Sequence, residues 1–558
     1  MRSLTMSLVI IAAAACAAEA EAQTRSAAPP SFMSSSLRAA NVSLATYQSV
    51  VAYGEQRAQD LVQSEGRRRG AERELTVSNQ AIQSMAERLL LSNPRASPAE
   101  VLAAFDRMLQ DYASLKGELE ALRRQRELES LWPQLELVDA ALDEGDLEQA
   151  RVLLDVATGL SERFAEPASG IWRASGDLAA IEQRFNDAAY AYDRAADFLD
   201  PARAIERLAL RVRADNARTL PRTRALTAQE LLAAVSRFEA AETTLLRSSP
   251  EEPGYQELWG IVYWSLAGLR DQVAERGDLA MVPRVVSAWQ SAKLWEGLTP
   301  QQRAQIDVAI GSAWFLSASR SGADQAVAQS KAEQAYQQAR SVLAVDDYWY
   351  WASHTGSLGV AIVASGHLTG ESSIAAFRNV VAYADRVLAE MPSTPLLVPV
   401  RHVAENLRVN ADIKLAQRGD WSNIGRAQSF SVSELNNLPL DTPPRARIMA
   451  LLLAADAYST RRDLSELLEA RRYIDAASIV LESMPDADGF IIGYYNGEDG
   501  QVSWSIARIT GSRSEFLRAE RAYLAAADAD QRAGSSANVP QINAFVDQIR
   551  AEARRAPR

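Results

Sequence analysis

The chain has 558 residues, 47% of them hydrophobic, a net charge of −12 and a single cysteine, Cys16. One cysteine excludes an intramolecular disulfide scaffold. The acidic balance and the lack of a concentrated Lys/Arg block argue against a nucleic-acid partner, while the length allows one large core or many small ones in an elongated array.

The N-terminus reads Met1-Arg2-Ser3, then an apolar run from Leu8 to Ala18, then Ala20-Glu21-Ala22. A positive start, a short apolar core and small residues at the end are the three parts of a secretory signal, expected over residues 1–22, and they predict an exported, periplasmic product. The apolar run is too short for a permanent membrane span. The alternative is lipidation at Cys16: Ala13-Ala14-Ala15 before it resemble a bacterial lipoprotein box, with Ala13 where a larger aliphatic residue is usual. That would tether the body to the outer membrane.

Residues 23–35, with Pro29-Pro30, suit a flexible lead. Residues 36–132 form an N-terminal long-helical or short coiled-coil region. The segment Ser92-Asn93-Pro94-Arg95-Ala96-Ser97-Pro98 predicts a turn and a new helix from about Ala99. In that helix Phe105, Met108, Tyr112, Leu115, Leu119 and Leu122 recur at steps of three and four, as in a coiled-coil seam. Either a paired helix in an oligomer or packing within the same domain satisfies the pattern.

Pro133 opens the interval 133–418. Gly145 sits where a turn separates two helices, followed by Ala150, Leu154 and Ala157. Gly176, Phe185, Ala188, Tyr192 and Ala195 restate a small-large-small face. Partial echoes are Phe238 in Arg237–Ala241, then Ala332, Tyr336 and Ala339, and lastly Tyr473 with Ala476. Together these positions resemble the tetratricopeptide-repeat family. The spacing from Ala150 to Ala188 is thirty-eight residues rather than the thirty-four of that family. The resemblance implies an all-α fold of irregular antiparallel helical hairpins in a solenoid, with these residues packing the repeats.

Aromatic groups at Trp259, Tyr263 and Trp264, at Trp289 and Trp295, and at Tyr348–Trp351 fill gaps between helices or build a ligand wall. Gly419 predicts a helix end. The interval 419–444, with Asn436-Asn437, Pro439 and Pro443-Pro444, reads as a hinge before a C-terminal helical subdomain over 445–558, or as a loop within the solenoid. Ile491–Gly500 reads as a turn or small hairpin, and Ser514–Ala527 as the closing helix.

No catalytic, cofactor-binding or metal-binding residue stands out. The histidines, His354, His367 and His402, form no HExxH pair; His354 and His367 are read as separated by turns around Gly356, Gly359 and Gly366. No GxSxG elbow, phosphate loop or dinucleotide fingerprint is present. Asp143, Glu144, Asp146 and Glu148 cluster at a turn, where solvation, helix-end electrostatics and capping account for them without acid–base catalysis. The expectation is a noncatalytic protein- or peptide-binding scaffold of the bacterial cell envelope that needs no cofactor. Its partner is expected to be another envelope protein or a peptide, with oligomerisation left open. The alternatives are solute capture beside a transporter and carbohydrate or peptide processing by paired carboxylates hidden in the spacing.

Overall fold

A computed structural model describes residues 42–69, 77–92, 96–161, 165–219, 226–275, 278–295, 298–320, 325–438, 442, 444–461, 463–484, 489–532 and 539–556. The expected signal with Cys16 and Ala22, the lead over 23–35, Asn93–Arg95, Pro439 and Pro443 lie outside these residues. Among the described residues the fold is all-α, with 22 α-helices and no strand.

Two compact units divide between Ala313 and Trp314, inside the interval 133–418. The first unit holds α1 (Leu44–Arg69), α2 (Asn79–Ser92), α3 (Pro98–Leu122), α4 (Trp132–Asp143), α5 (Leu147–Ser161), α6 (Ala165–Ile181) and α7 (Phe185–Phe198). It continues with α8 (Ala204–Thr219), α9 (Ala228–Leu245), α10 (Tyr255–Glu275) and α11 (Val282–Lys293), and α12 (Pro300–Arg320) crosses the boundary. The second unit holds α13 (Gln325–Arg340), α14 (Tyr348–His367), α15 (Gly370–Glu390), α16 (Val398–Ala416), α17 (Ile424–Asn437) and α18 (Pro444–Ser459). It ends with α19 (Leu464–Glu482), α20 (Gly489–Thr510), α21 (Arg513–Arg532) and α22 (Val539–Arg555).

Local chemistry accounts for the helix starts. Before α3, Ser97 Oγ accepts from the Glu100 amide at 3.4 Å and Glu100 Oε2 accepts from the Ser97 amide at 2.8 Å, with Pro98 in the first turn. The helix therefore begins one residue before Ala99. Its six seam residues are all buried within the first unit, and Tyr112 donates to the Leu142 carbonyl at 3.3 Å. That leaves the charged residues of α3 for a different face.

The turn between α4 and α5 rests on Gly145, whose φ is +73° and where a Cβ would lie 2.6 Å from the Gln80 carbonyl oxygen. Both the dihedral and the neighbour demand glycine. Gly145→Ala is expected to destabilise the protein by about 2 kcal/mol, read as a lower urea midpoint with an unchanged m-value.

Neighbouring helices pack in sequence: α4 on α5, α6 on α7, α7 on α8 and α10 on α11, with α3 against α6 and α8 against α10. In the second unit each helix from α13 to α22 packs on the next. The core there is a run of small clusters rather than one centre. One gathers Trp351, Phe377 and Leu407, the next Ile413, Ile424 and Leu453, then Leu452 with Tyr494, then Ile474 with Val502, and finally Tyr523 with Ile549. Each helix is stabilised chiefly by its neighbours, as in a repeat array. In the first unit, α12 comes back to the start of the chain. Gln305 Nε2 donates to Asp106 Oδ2 at 3.1 Å and to the Tyr53 hydroxyl oxygen at 3.3 Å, 252 residues away from Tyr53 in sequence.

Four expectations are corrected. Ile491–Gly500 is helical, within α20, and two of its glycines, Gly493 and Gly500, serve packing: a Cβ on Gly500 would lie 2.9 Å from the Tyr523 ring on α21. Glycine costs a helix about 1 kcal/mol against alanine, and the close approach of α21 offsets it. The interval 419–444 is not a continuous loop: it contains α17, whose Ile424, Ala427 and Ser431 are buried. Ser514–Ala527 lies in α21 and does not close the array; α22 follows and buries Ile542, Val546 and Ile549 against Phe516 and Tyr523. His354 and His367 share one helix, α14, whose Gly359 and Gly366 lie within it rather than in turns.

Candidate functional site

The repeat-like residues build the site from beneath. Ala150, Leu154 and Ala157 are buried on α5, and Ala188, Tyr192 and Ala195 on α7, with Phe185 half-buried at the start of that helix. Phe238 is buried on α9, and Ala332, Tyr336 and Ala339 are buried on α13. On α19 the buried residues are Ala470, Ile474 and Ala477, with Tyr473 and Ala476 half-buried beside them. At Gly176 a Cβ would lie 2.6 Å from the Tyr192 ring. The small residue thus lets the tyrosine lie flat across α6, and its hydroxyl donates to Asp177 Oδ1 at 2.7 Å.

From Asp177 a ladder of alternating charge crosses four helices. Arg213 Nη1 on α8 lies 2.7 Å from Asp177 Oδ1, and Arg213 Nε lies 2.7 Å from Glu257 Oε1 on α10. Arg173 Nη2 on α6 lies 3.1 Å from Glu257 Oε2, and Arg173 Nε lies 4.0 Å from Glu118 Oε2 on α3. Asp177 is fully buried, whereas Arg173, Glu118, Glu257 and Arg213 keep 16–26% of their side-chain surface exposed. The guanidiniums are held by carboxylates from different helices, so the wall is rigid where it meets solvent.

The carboxyls respond differently. Burial pushes Glu257 up, but Arg173 and Arg213 outweigh it and hold it below the usual range. Burial raises Glu118, which has only the longer contact to Arg173. Asp111, one face of α3 along from Glu118, is raised to about 7, first by burial and then by the charge of Asp177. Burial and the same aspartate push the Tyr192 phenol well up. Opposed shifts suit acid–base work, but both oxygens of Glu257 face guanidiniums, so it has no free oxygen to act as a base.

The second unit holds a more deeply buried group. Lys414 on α16 donates to Gln417 Oε1 at 3.1 Å and lies 3.8 Å from Asp456 Oδ2 on α18, while Gln417 Nε2 donates to Asp456 Oδ1 at 2.8 Å. Glu498 on α20 faces the same group, with Oε2 unpartnered among the described residues. Burial raises both carboxyls, and the charge of Asp456 raises Glu498 further.

Other sequence candidates serve packing. Trp259 donates to the Ser291 carbonyl at 2.9 Å, Trp264 meets Trp289 edge to face at 5.2 Å, and Trp351 is buried with Nε1 donating to the Val345 carbonyl at 2.6 Å. His354 Nδ1 lies 2.6 Å from the Tyr383 hydroxyl, and burial followed by Arg340 and Arg386 pulls the imidazole down to about 4. His402 pairs with Glu434 at 3.3 Å. Asp146 Oδ1 caps α5 by accepting from the Gln149 amide at 2.9 Å, and Asp143 receives Lys116 at 2.8 Å.

Sequence reasoning missed Asp111, Glu118, Arg173, Arg213 and Glu257. Charges at Arg107, Asp111 and Glu118 look like any solvated helix face, and their partners lie far along the chain. The one local signal was Asp177 directly after the packing glycine Gly176. Among the described residues no cluster of His, Cys, Asp and Glu is arranged to hold a metal ion, and no helix is long and apolar enough to cross a membrane. No protein-family model matches the chain, and neither does any curated protein.

Proposed function

We propose that this chain is a noncatalytic, tetratricopeptide-like scaffold that is exported to the bacterial cell envelope and recognises a protein or peptide partner on the charged wall of its first unit. The observation that supports this reading is the wall itself: charges of both signs from α3, α6, α8 and α10, fixed against one another and still partly open to solvent. Such a surface gives orientation and selectivity through many modest contacts without a reacting group. Export rests on the signal-like segment over residues 1–22, and tethering through Cys16 is the variant of the same reading.

The test is affinity purification from native envelope extract, with Arg173→Gln as the wall variant and exposed Arg124→Gln as the control. Arg173→Gln is expected to weaken the partner's binding about tenfold and, because it removes one of the two cations on Glu257, to lower the melting temperature as well, so binding is compared well below the melting range of both variants. A partner retained equally by both variants would rule out the wall as its binding surface.

A further inference from the structure

Beyond the scaffold reading, we propose that the cleft where α1, α3 and α12 meet binds the adjacent hydroxyls of a neutral polyol or saccharide end. The cleft has a volume of about 250 Å3 counted out to its open mouth, and its inner end has room for one water-sized group. Arg57, Asp60 and Leu61 of α1 line it with Asp106, Leu109 and Gln110 of α3, and Thr299 and Gln302 close it at the start of α12. Arg57, Asp106, Thr299 and Gln302 each expose at most 8% of their surface. Polar side chains gathered at that depth around open space call for an occupant that hydrogen-bonds.

Most of these groups are held in place before anything arrives. Asp106 Oδ2 accepts from the Tyr53 hydroxyl at 2.9 Å and from Gln305 Nε2 at 3.1 Å. The Arg57 guanidinium lies 4.9 Å above the Tyr53 ring, with Nη1 3.4 Å from Asp60 Oδ2 and Nε 3.9 Å from Asp106 Oδ1. Gln302 Oε1 accepts from the Thr299 amide at 2.9 Å, and Thr299 Oγ1 accepts from the Gln302 amide at 3.2 Å, a reciprocal cap on α12. A backbone amide only donates, so the Gln302 carboxamide has one orientation, and its Nε2 is left as a donor with no acceptor among the described residues. Thr299 likewise keeps its hydroxyl hydrogen to give.

The charge of the occupant follows from both signs taken together. One guanidinium stands against two carboxylates, so an anion would meet Asp60 and Asp106. A cation would face Arg57, Gln302 Nε2 and the Thr299 hydroxyl, which have only hydrogens to offer. A neutral hydroxyl satisfies both sets: its oxygen accepts from those donors, and its hydrogen goes to a carboxylate or to Gln110 Oε1. The inner end takes one hydroxyl, and half-buried Asp60 and Gln110 meet the next. Leu61 and Leu109 give the carbons between the hydroxyls an apolar wall, a contact that a lone water does not use.

The experiment is a saturation-transfer NMR titration of the full chain with glycerol, methyl α-glucoside, 1-propanol, acetate and methylammonium as separate probes. Glycerol and methyl α-glucoside are expected to bind with Kd of about 1–10 mM, and the other three at least about tenfold more weakly. A glucoside about fivefold or more tighter than glycerol assigns a saccharide end, and glycerol as tight as the glucoside or tighter than it assigns a free polyol. Gln302→Glu keeps an acceptor for the Thr299 amide, so α12 stays capped, but it replaces the inner donor with an acceptor. It is expected to weaken both diols about tenfold, whereas exposed Arg124→Gln leaves them unchanged.

Absence of binding by either diol would leave the cleft a site for ordered water only and overturn the proposal. Propanol, acetate or methylammonium bound as tightly as glycerol would overturn the assignment of a neutral diol. Diol binding untouched by Gln302→Glu would place it elsewhere on the chain. The ranking of probes on the wild-type chain stands whether or not a variant folds, and the envelope purification decides the scaffold reading separately.

Discussion

Lys414→Met is expected to destabilise the second unit by about 3–5 kcal/mol, because it leaves Asp456 and Glu498 buried together without their cation. All three residues are buried, with at most 8% of their surface exposed, so water is poorly placed to take over from the ammonium. Adding Glu498→Gln to that variant should restore at least about 1 kcal/mol, since the residues share one group and their effects do not add.

The pH dependence has a definite sign. A carboxyl raised in the folded state binds more protons there than in the unfolded chain, so stability falls as pH rises. For Glu498 the decline starts near 4.5 and continues upward through its raised folded value. Glu498→Gln should flatten the pH profile of urea midpoints above that point. A wild-type midpoint that climbs with pH across the same window would refute this account of the buried group.

Arg213→Met is the second large effect, about 3–5 kcal/mol in the first unit. It removes the shared cation of Asp177 and Glu257, which then confront each other and Asp111. The double variant Arg213→Met/Asp177→Asn should recover part of the loss, and circular dichroism melts of wild type, the double variant and both single variants measure the coupling. If Arg213→Met melts like wild type, the ladder carries little of the unit's stability.

The class of fold was readable because its signals are local. The seam of α3, the glycine at the first hairpin turn and the small-large-small face of α7 each lie within one or two helical turns of sequence. Glycine misled where its local and tertiary meanings diverge. In α20, Gly500 looks like turn chemistry until Tyr523 on the next helix is seen to occupy the space of its missing side chain. The charged wall was illegible for a related reason. Glu118, Arg173, Arg213 and Glu257 belong to four helices, and nothing in the spacing on any one of them distinguishes a wall from a solvated face.

The return of α12 to the beginning of the first unit has a temporal consequence. Tyr53 and Gln305 are 252 residues apart, and at about 5–20 residues per second a ribosome separates their appearance by roughly 12–50 s. During that interval Asp106 lacks the amide that Gln305 supplies, although its contact with Tyr53 is already available. Joining the two ends is a contact of high sequence separation that cannot form until Gln305 has emerged. A nascent chain stalled short of Gln305 would therefore expose α1 and α3 to proteases and chaperones that the finished unit excludes.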